Sequence, residues 1–213
     1  MDIVIHSVLN QTFRLLPQKA IFWEEKQTLI LGDLHFGKAT HFRKNGIALS
    51  QSIATNDFDK FTALLAALNP KQVYFLGDLF HSEYNSEVFD LHEIIQANSS
   101  VKFVLIKGNH DIIKQTHFEK MGIQVIAEWI EDSFIFTHEP TPKAGFYNIY
   151  GHLHPGVRLK GKAKQNLSLP CFYFAKHFAV LPAFSDFTGL KILDNKLAIA
   201  IYLVTDDKVI KVK

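Results

Sequence analysis

The sequence predicts an α/β fold, with a parallel sheet and crossover helices in the first half and a mostly β second half that packs a further sheet against it. Three observations carry this reading. Apolar runs end repeatedly in Gly-Asp or Gly-Asn turns, helical periodicity fills the gaps between them, and beyond Met121 the chain breaks into short apolar runs bounded by turn residues.

The stretches Phe13-Arg14-Leu15-Leu16 and Ala20-Ile21-Phe22-Trp23 alternate or run apolar as strands do. Thr28–Leu31 is the first buried strand and leads directly into Gly32-Asp33-Leu34-His35. Phe58, Phe61, Leu64, Leu65 and Leu68 then recur at helical spacing until Asn69-Pro70 ends the helix. The pattern repeats: Gln72–Leu76 precedes Gly77-Asp78, and Val88, Leu91, Ile94 and Ile95 trace a second amphipathic face. Val101–Ile106 ends, after Lys107, at Gly108-Asn109-His110-Asp111. Strand, helix, strand, helix, strand implies a parallel sheet, whose strand C-termini share one edge, so the polar turns are expected to be neighbours in space. In the second half Gln124–Ala127, Ser133–Thr137, Tyr147–Tyr150, Cys171–Phe174, Phe178–Leu181, Leu190–Leu193 and Leu197–Val204 are the expected strands. Core packing is the better reading of Phe172, Tyr173, Phe174, Phe178 and Phe184, with base stacking as the alternative.

At 213 residues, a single domain spanning residues 1–213 is expected. Hydrophobic residues at 47% and charged residues at 21% exclude a disordered or fibrous chain. The longest apolar stretches fall far short of the roughly 20 residues needed to cross a bilayer. The N-terminus lacks the pattern of a secretory signal, and the lone cysteine, Cys171, excludes an intrachain disulfide. A cytoplasmic protein with Cys171 in its core is the expectation. The net charge of +2 is too small to indicate nucleic-acid binding through bulk electrostatics, although a local basic groove would be invisible in that sum.

The chemistry lies at the strand ends. Asp33 and His35 are two residues apart, so on extended backbone a carboxylate and an imidazole point the same way, which suits a shared metal ion. Asp78 offers two oxygens able to bridge two cations, Asn109 a neutral carbonyl oxygen, and His138, His152 and His154 further imidazoles. Seven oxygen and nitrogen donors without a thiolate suit manganese, iron or zinc, and outnumber what one ion needs. Two ions about 3.5–4 Å apart stabilise both the attacking and the leaving oxygens of phosphoryl transfer and activate a water or hydroxide nucleophile. No serine or cysteine stands in a nucleophile motif and no Gly-rich phosphate loop is present, so covalent catalysis is not expected.

These motifs, in this order, resemble the signature of the calcineurin-like metallophosphoesterases from Gly32 to His154. The resemblance implies an α+β four-layer fold, a β-sandwich of two mixed sheets flanked by helices. It also implies that Asp33, His35, Asp78 and His154 hold one metal while Asp78, Asn109, His138 and His152 hold the other. By the same resemblance His110 binds no metal but donates a proton to the leaving oxygen, with Asp111 orienting its ring. A narrower likeness rests on Asp33-Leu34-His35-Phe36-Gly37-Lys38, Phe42-Arg43-Lys44-Asn45-Gly46-Ile47, Gly77-Asp78-Leu79-Phe80-His81-Ser82, Leu169-Pro170-Cys171-Phe172 and Leu181-Pro182-Ala183-Phe184. These segments are similar to the PdeM-type, ligase-associated DNA damage response phosphoesterases of bacteria. That likeness implies a DNA-repair nuclease working in association with a DNA ligase and helicase. His81 and Ser82 stand where the Ser/Thr protein phosphatases carry Asp-Arg, and Asp111 stands where they carry Glu, which argues against protein phosphatase activity.

Lys38, Arg43 and His81 are candidate phosphate contacts, with a solvated face or a turn cap as the alternative. The lysines of Leu159-Lys160-Gly161-Lys162-Ala163-Lys164-Gln165 read as an exposed loop or hairpin that is either merely solvated or holds a nucleic-acid backbone. His6, His41, His92, His117 and His177 lack motif context and are expected on the surface or in the core. The leading function is a metal-dependent phosphodiesterase acting on DNA. The alternatives are a phosphomonoesterase or nucleotide phosphatase on the same metals and, as a minor reading, a non-catalytic partner-binding protein.

Overall fold

A computed structural model of the chain describes residues 4–38, 51–80, 86–161, 165–186 and 188–213. The first sheet runs in the order β1 (Val4–Val8), β2 (Gln11–Leu16), β3 (Ala20–Trp23), β4 (Thr28–Leu31), β5 (Gln72–Phe75), β6 (Lys102–Ile106) and β7 (Ile123–Ile126). Strands β1 to β4 form an antiparallel meander, and β4 to β7 are parallel. Helices α1 (Gln51–Leu68), α2 (Ser86–Ala97) and α3 (Gln115–Lys120) occupy the successive crossovers. Strand β4 is buried at every residue because both of its faces are covered, which is why it reads as a continuous apolar run rather than an alternation.

The second sheet is mixed. Strands β8 (Trp129–Glu131) and β9 (Phe134–Thr137) are antiparallel, while β9, β10 (Tyr147–Tyr150) and β13 (Phe178–Val180) are parallel. Strand β11 (Pro155–Lys160) forms a hairpin with the first half of β12 (Asn166–Ala175) and takes β14 (Lys191–Ile192) on its other side. The second half of β12 lies between β13 and β15 (Ala198–Val204), and β16 (Val209–Lys211) closes that edge.

The expected sandwich of two mixed sheets flanked by helices is therefore the architecture observed. Its core sorts into three clusters. Phe61, Leu64 and Leu65 of α1, Val88, Leu91 and Ile95 of α2, and Phe118 of α3 pack on the outer face of the first sheet. Trp23, Tyr74, Phe134, Phe136, Phe172 and Phe174 fill the space between the sheets. Tyr150, Cys171, Tyr173 and Ile201 form a third cluster on the outer face of the second sheet. Cys171 is fully buried there, and burial pushes its thiol up to about 12, so it is an inert core residue as expected.

Strands β1, β8, β11, β16 and the first half of β12 are absent from the sequence expectation. Strand β11 opens with Pro155-Gly156, which signals a turn, but proline is tolerated as the first residue of a strand because no ladder donor is then lost from its interior. The hairpin has a further consequence. At about 3.3 Å per residue, the rise from Pro155 carries Lys160 roughly 17 Å from the start of the strand and so away from the His152/His154 turn. Lys162 and Lys164 lie outside the described residues.

His6 illustrates a half-buried imidazole held neutral. Its Nδ1 is 3.0 Å from the Tyr202 hydroxyl, and its ring lies 3.9 Å from that of Phe174. Burial, reinforced by the positive charge of Lys211, lowers its pKa from the ordinary 6.5 to about 4. The unfolded chain therefore binds more protons between these values, and stability contributed by the neutral ring falls as pH drops from about 6.5 towards 4. Replacing His6 by Gln, which keeps a hydrogen-bonding group without the titration, should flatten the decline of the urea midpoint across that window. A decline as steep as that of the native protein would contradict this account.

Candidate metal centre

Five chain turns meet at one edge of the sandwich. Asp33 and His35 follow β4, Asp78 follows β5, Asn109 and His110 follow β6, and His138, His152 and His154 follow β9 and β10. Five of these residues lie in the left-handed backbone region: Asp33 (φ 51°), His35 (46°), Asp78 (50°), His152 (61°) and His154 (46°). The extended geometry expected for Asp33-Leu34-His35 is thus not what aligns the two side chains. A turn with positive φ at both positions does so, and such conformations persist in non-glycine residues only where surrounding contacts enforce them.

Those contacts are visible. Asp111 is buried, and its carboxylate accepts the backbone N–H groups of Asp78 (2.9 Å), Leu79 (2.9 Å) and Gly108 (2.8 Å). In return the His110 N–H donates to Asp78 Oδ1 at 2.9 Å. The N–H groups of His35 and Phe36 donate to the carbonyls of Asp78 and Leu79, each at 2.9 Å, and the His152 N–H donates to Asp33 Oδ2 at 2.8 Å. Burial pushes the Asp111 carboxyl up to about 6, while the three N–H donors act in the opposite direction. These three hydrogen bonds tie its carboxylate to the backbone of the turns after β5 and β6.

The donors gather in two groups. One atom each from Asp33, His35 and His154 lie within 4.8 Å of one another, and so do one atom each from Asp78, His138 and His152. Asp78 links the groups: Oδ1 is 3.5 Å from His138 Nε2, and Oδ2 is 3.8 Å from His35 Nε2. Asn109 Oδ1 joins the second group, 2.9 Å from His138 Nε2, and His152 Nδ1 lies 3.0 Å from the same nitrogen.

These groups fit metal ions on the chemistry of the atoms themselves. His138 Nδ1 is 2.8 Å from the Leu76 carbonyl, which can only accept, so Nδ1 carries the proton and Nε2 presents a lone pair. That lone pair faces the lone pairs of Asn109 Oδ1 and Asp78 Oδ1, which calls for a cation between them. In the first group, buried Asp33 Oδ1 and His154 Nε2 have no hydrogen-bond partner and face each other at 3.4 Å. A buried acceptor left in that state is costly without a counterion. The spacings also suit it, since donors about 2.1 Å from an ion are about 3.0 Å apart in an octahedral shell and about 3.4 Å in a tetrahedral one.

His110 stands outside both groups. It is exposed, with its ring centroid 5.7 Å from that of His35. Lys38 is half-buried; burial lowers its pKa, and the nearby carboxylates of Asp78 and Asp33 act the other way. Arg43 and His81 lie outside the described residues. Two contributors have no sequence signal. The Leu76 carbonyl fixes the tautomer of His138, and Lys60, one lysine of a long helix, donates to the Phe184 carbonyl at 2.7 Å. Phe184 in turn donates its N–H to the Gly32 carbonyl at 2.8 Å, tying α1 to the Asp33 turn.

Side-chain crowding explains two glycines here. A Cβ on Gly108 would overlap Asp78 Oδ1, and one on Gly151 would overlap Asp33 Oδ2. Gly151→Ala should therefore leave the melting transition cooperative while lowering metal retained after desalting by about tenfold or more, as displacing a ligand's support does elsewhere. Unchanged metal content by elemental analysis would refute the crowding argument.

Comparisons with known proteins agree with this geometry. Residues 26–195 match the family model described as calcineurin-like phosphoesterase. The chain is similar to the crystal structure of Pseudomonas putida nuclease MPE, at 29% identity and a TM-score of 0.85, covering 99% of this chain and 100% of that one. A protein of unknown function, AQ665 from Aquifex aeolicus, aligns at 18% identity and a TM-score of 0.43, covering 60% of this chain and 78% of its own. Yfce, a phosphoesterase from E. coli, aligns at 16% identity and a TM-score of 0.44, covering 86% and 96%. No curated protein matches the chain. With donors for two ions at the edge of a sandwich and a family match across most of its length, the chain belongs to the calcineurin-like phosphoesterase family and is a metal-dependent hydrolase.

Proposed function

We propose that the chain is a two-metal phosphodiesterase that acts on DNA in repair, with manganese as its preferred ion. The observation that carries this reading is the Asp78 carboxylate between the two donor groups, one oxygen towards each. In this reading Asp33, His35, Asp78 and His154 hold one ion, and Asp78, Asn109, His138 and His152 hold the other. Two such ions supply an activated water and neutralise charge on the phosphate.

The chain's own residues do the remaining work. The stitched turns hold the donors in place before substrate arrives, so little reorganisation accompanies the reaction. His110, exposed beside His35, gives its proton to the leaving oxygen, a task suited to an imidazole near neutral pH. Lys38 presents its ammonium to a phosphate oxygen, and Arg43 and His81 extend that contact. DNA as substrate is supported by full-length similarity to a nuclease. Manganese is supported by the all-oxygen-and-nitrogen donor set. Work beside a DNA ligase and helicase, which rests on the resemblance of the flanking segments, and a cytoplasmic setting, which rests on the N-terminal pattern and the single cysteine, complete the reading.

Metal-stripped protein given manganese should cleave single-stranded or structured DNA and bis-p-nitrophenyl phosphate in preference to monoesters. Asp78→Ala or Asn109→Ala should reduce both rates about a thousandfold or more, since an ion's contribution to the transition state is several kcal/mol. A strong preference for monoesters would replace this reading with that of a nucleotide phosphatase. For His110→Asn the loss should be much larger on DNA than on the nitrophenyl ester, whose leaving group needs no proton. Equal losses on the two substrates would remove His110 from the role of acid.

A further inference from the structure

On the outer face of the second sheet, beside the turn that carries His152, lies a cavity of about 490 Å³ whose walls include Pro140, Pro142, Phe146, Tyr150, His177 and Phe178. A cleft of about 380 Å³, lined in part by Asn109, His138, Glu139 and Thr141, adjoins the metal centre. The strap of residues 139–142 borders both, with Glu139 and Thr141 lining the cleft and Pro140 and Pro142 lining the cavity. That strap is fixed: the Thr137 hydroxyl donates to the Glu139 carbonyl at 2.7 Å, and the Thr141 N–H donates to Asn148 Oδ1 at 2.9 Å. Asn148 Nδ2 donates onward to the Ile135 carbonyl (3.1 Å) and the Thr137 hydroxyl (2.9 Å), so its amide is fully used within the protein.

We propose that this cavity receives the base of a nucleotide next to the phosphodiester held at the metal centre. The proposal rests on the phosphodiesterase reading and adds to it how the flanking strand is gripped. The chemistry of the walls favours a heterocycle. Phe146 and Phe178 are half-buried aromatic surfaces, and bases stack on such rings with little sequence preference. Among the described residues the hydroxyl of Tyr150 has no hydrogen-bond partner, which leaves it able to bond a base edge. Lys143 at the rim is paired with Glu128 at 2.5 Å, so the mouth carries no uncompensated positive charge and suits a neutral base rather than a phosphate. A cavity of this size lies within the range of small-molecule sites, which combine apolar walls with a few placed polar groups. A base enters it only after leaving its own stack, so the occupant belongs to an unpaired strand.

The test compares a single-stranded oligonucleotide with the same strand made abasic around the cleaved bond, using the manganese-loaded full chain. The variants are Phe146→Ala and Ala144→Trp. The first removes a stacking surface, and the second fills the cavity from an exposed position without removing core packing. Native protein should cleave the base-bearing strand about tenfold faster, by kcat/KM, than the abasic strand. Both variants should lower the base-bearing rate to the abasic one and leave the abasic rate unchanged. If Phe146→Ala fails to fold, Ala144→Trp decides alone. Equal rates of the native protein on the two strands, or variants that keep the preference, would overturn the proposal while the phosphodiesterase reading stands. A native protein that cleaves neither strand would overturn that reading and this inference with it.

Discussion

Where a parallel strand ends and the chain turns away, its backbone N–H groups lose the ladder that satisfied them. Buried donors of that kind need partners, and the cost of leaving one unpaired is about 1–3 kcal/mol. Asp111 supplies the partner for three of them at once, on the turns after β5 and β6. This bond set decides where Asp78 sits, and Asp78 decides how far apart the two donor groups stand. The left-handed backbone at Asp33, His35, Asp78, His152 and His154 follows from the same constraint. Side chains that must converge on one point from separate turns cannot all leave from relaxed backbone.

Much of this was legible in the sequence. Buried parallel strands announce themselves as unbroken apolar runs, so β4, β5 and β6 and their helices were readable from Thr28 to Ile106. Polar residues at the strand ends then pointed to one edge, and the donors do meet there. Edge strands were less legible. Strand β1 alternates between half-buried and exposed residues, which weakens its apolar signal, and β11 begins with residues that ordinarily mark a turn. Spacing alone also misjudged how Asp33 and His35 align, because positive φ in a non-glycine residue leaves no trace in composition. The duties of Asp111 and Lys60 were hidden for a related reason: each depends on which backbone groups a distant turn leaves unpaired.

Of the three core clusters, the one between the sheets differs in character. Between the sheets the core is dominated by large aromatic rings that meet edge to face, such as Trp23 with Phe134 and Tyr74 with Phe136. Such contacts fix the separation and angle of the two layers. That matters because the donors come from both. A sandwich free to slide would misplace His138 and His152 relative to Asp78 by more than the centre tolerates.

The division of donors between the sheets also sets an order of events during synthesis. Asp33, His35, Asp78 and Asn109 belong to the first sheet, which is complete at Ile126, whereas His138, His152 and His154 belong to the second. The second donor group is complete only once His152 has been made, and the first only once His154 has. At roughly 5–20 residues per second, the carboxylates of the first sheet wait about a second or more for three of their four histidine partners. The arrival of β9 and β10 is therefore the step at which the architecture and both donor groups are completed together.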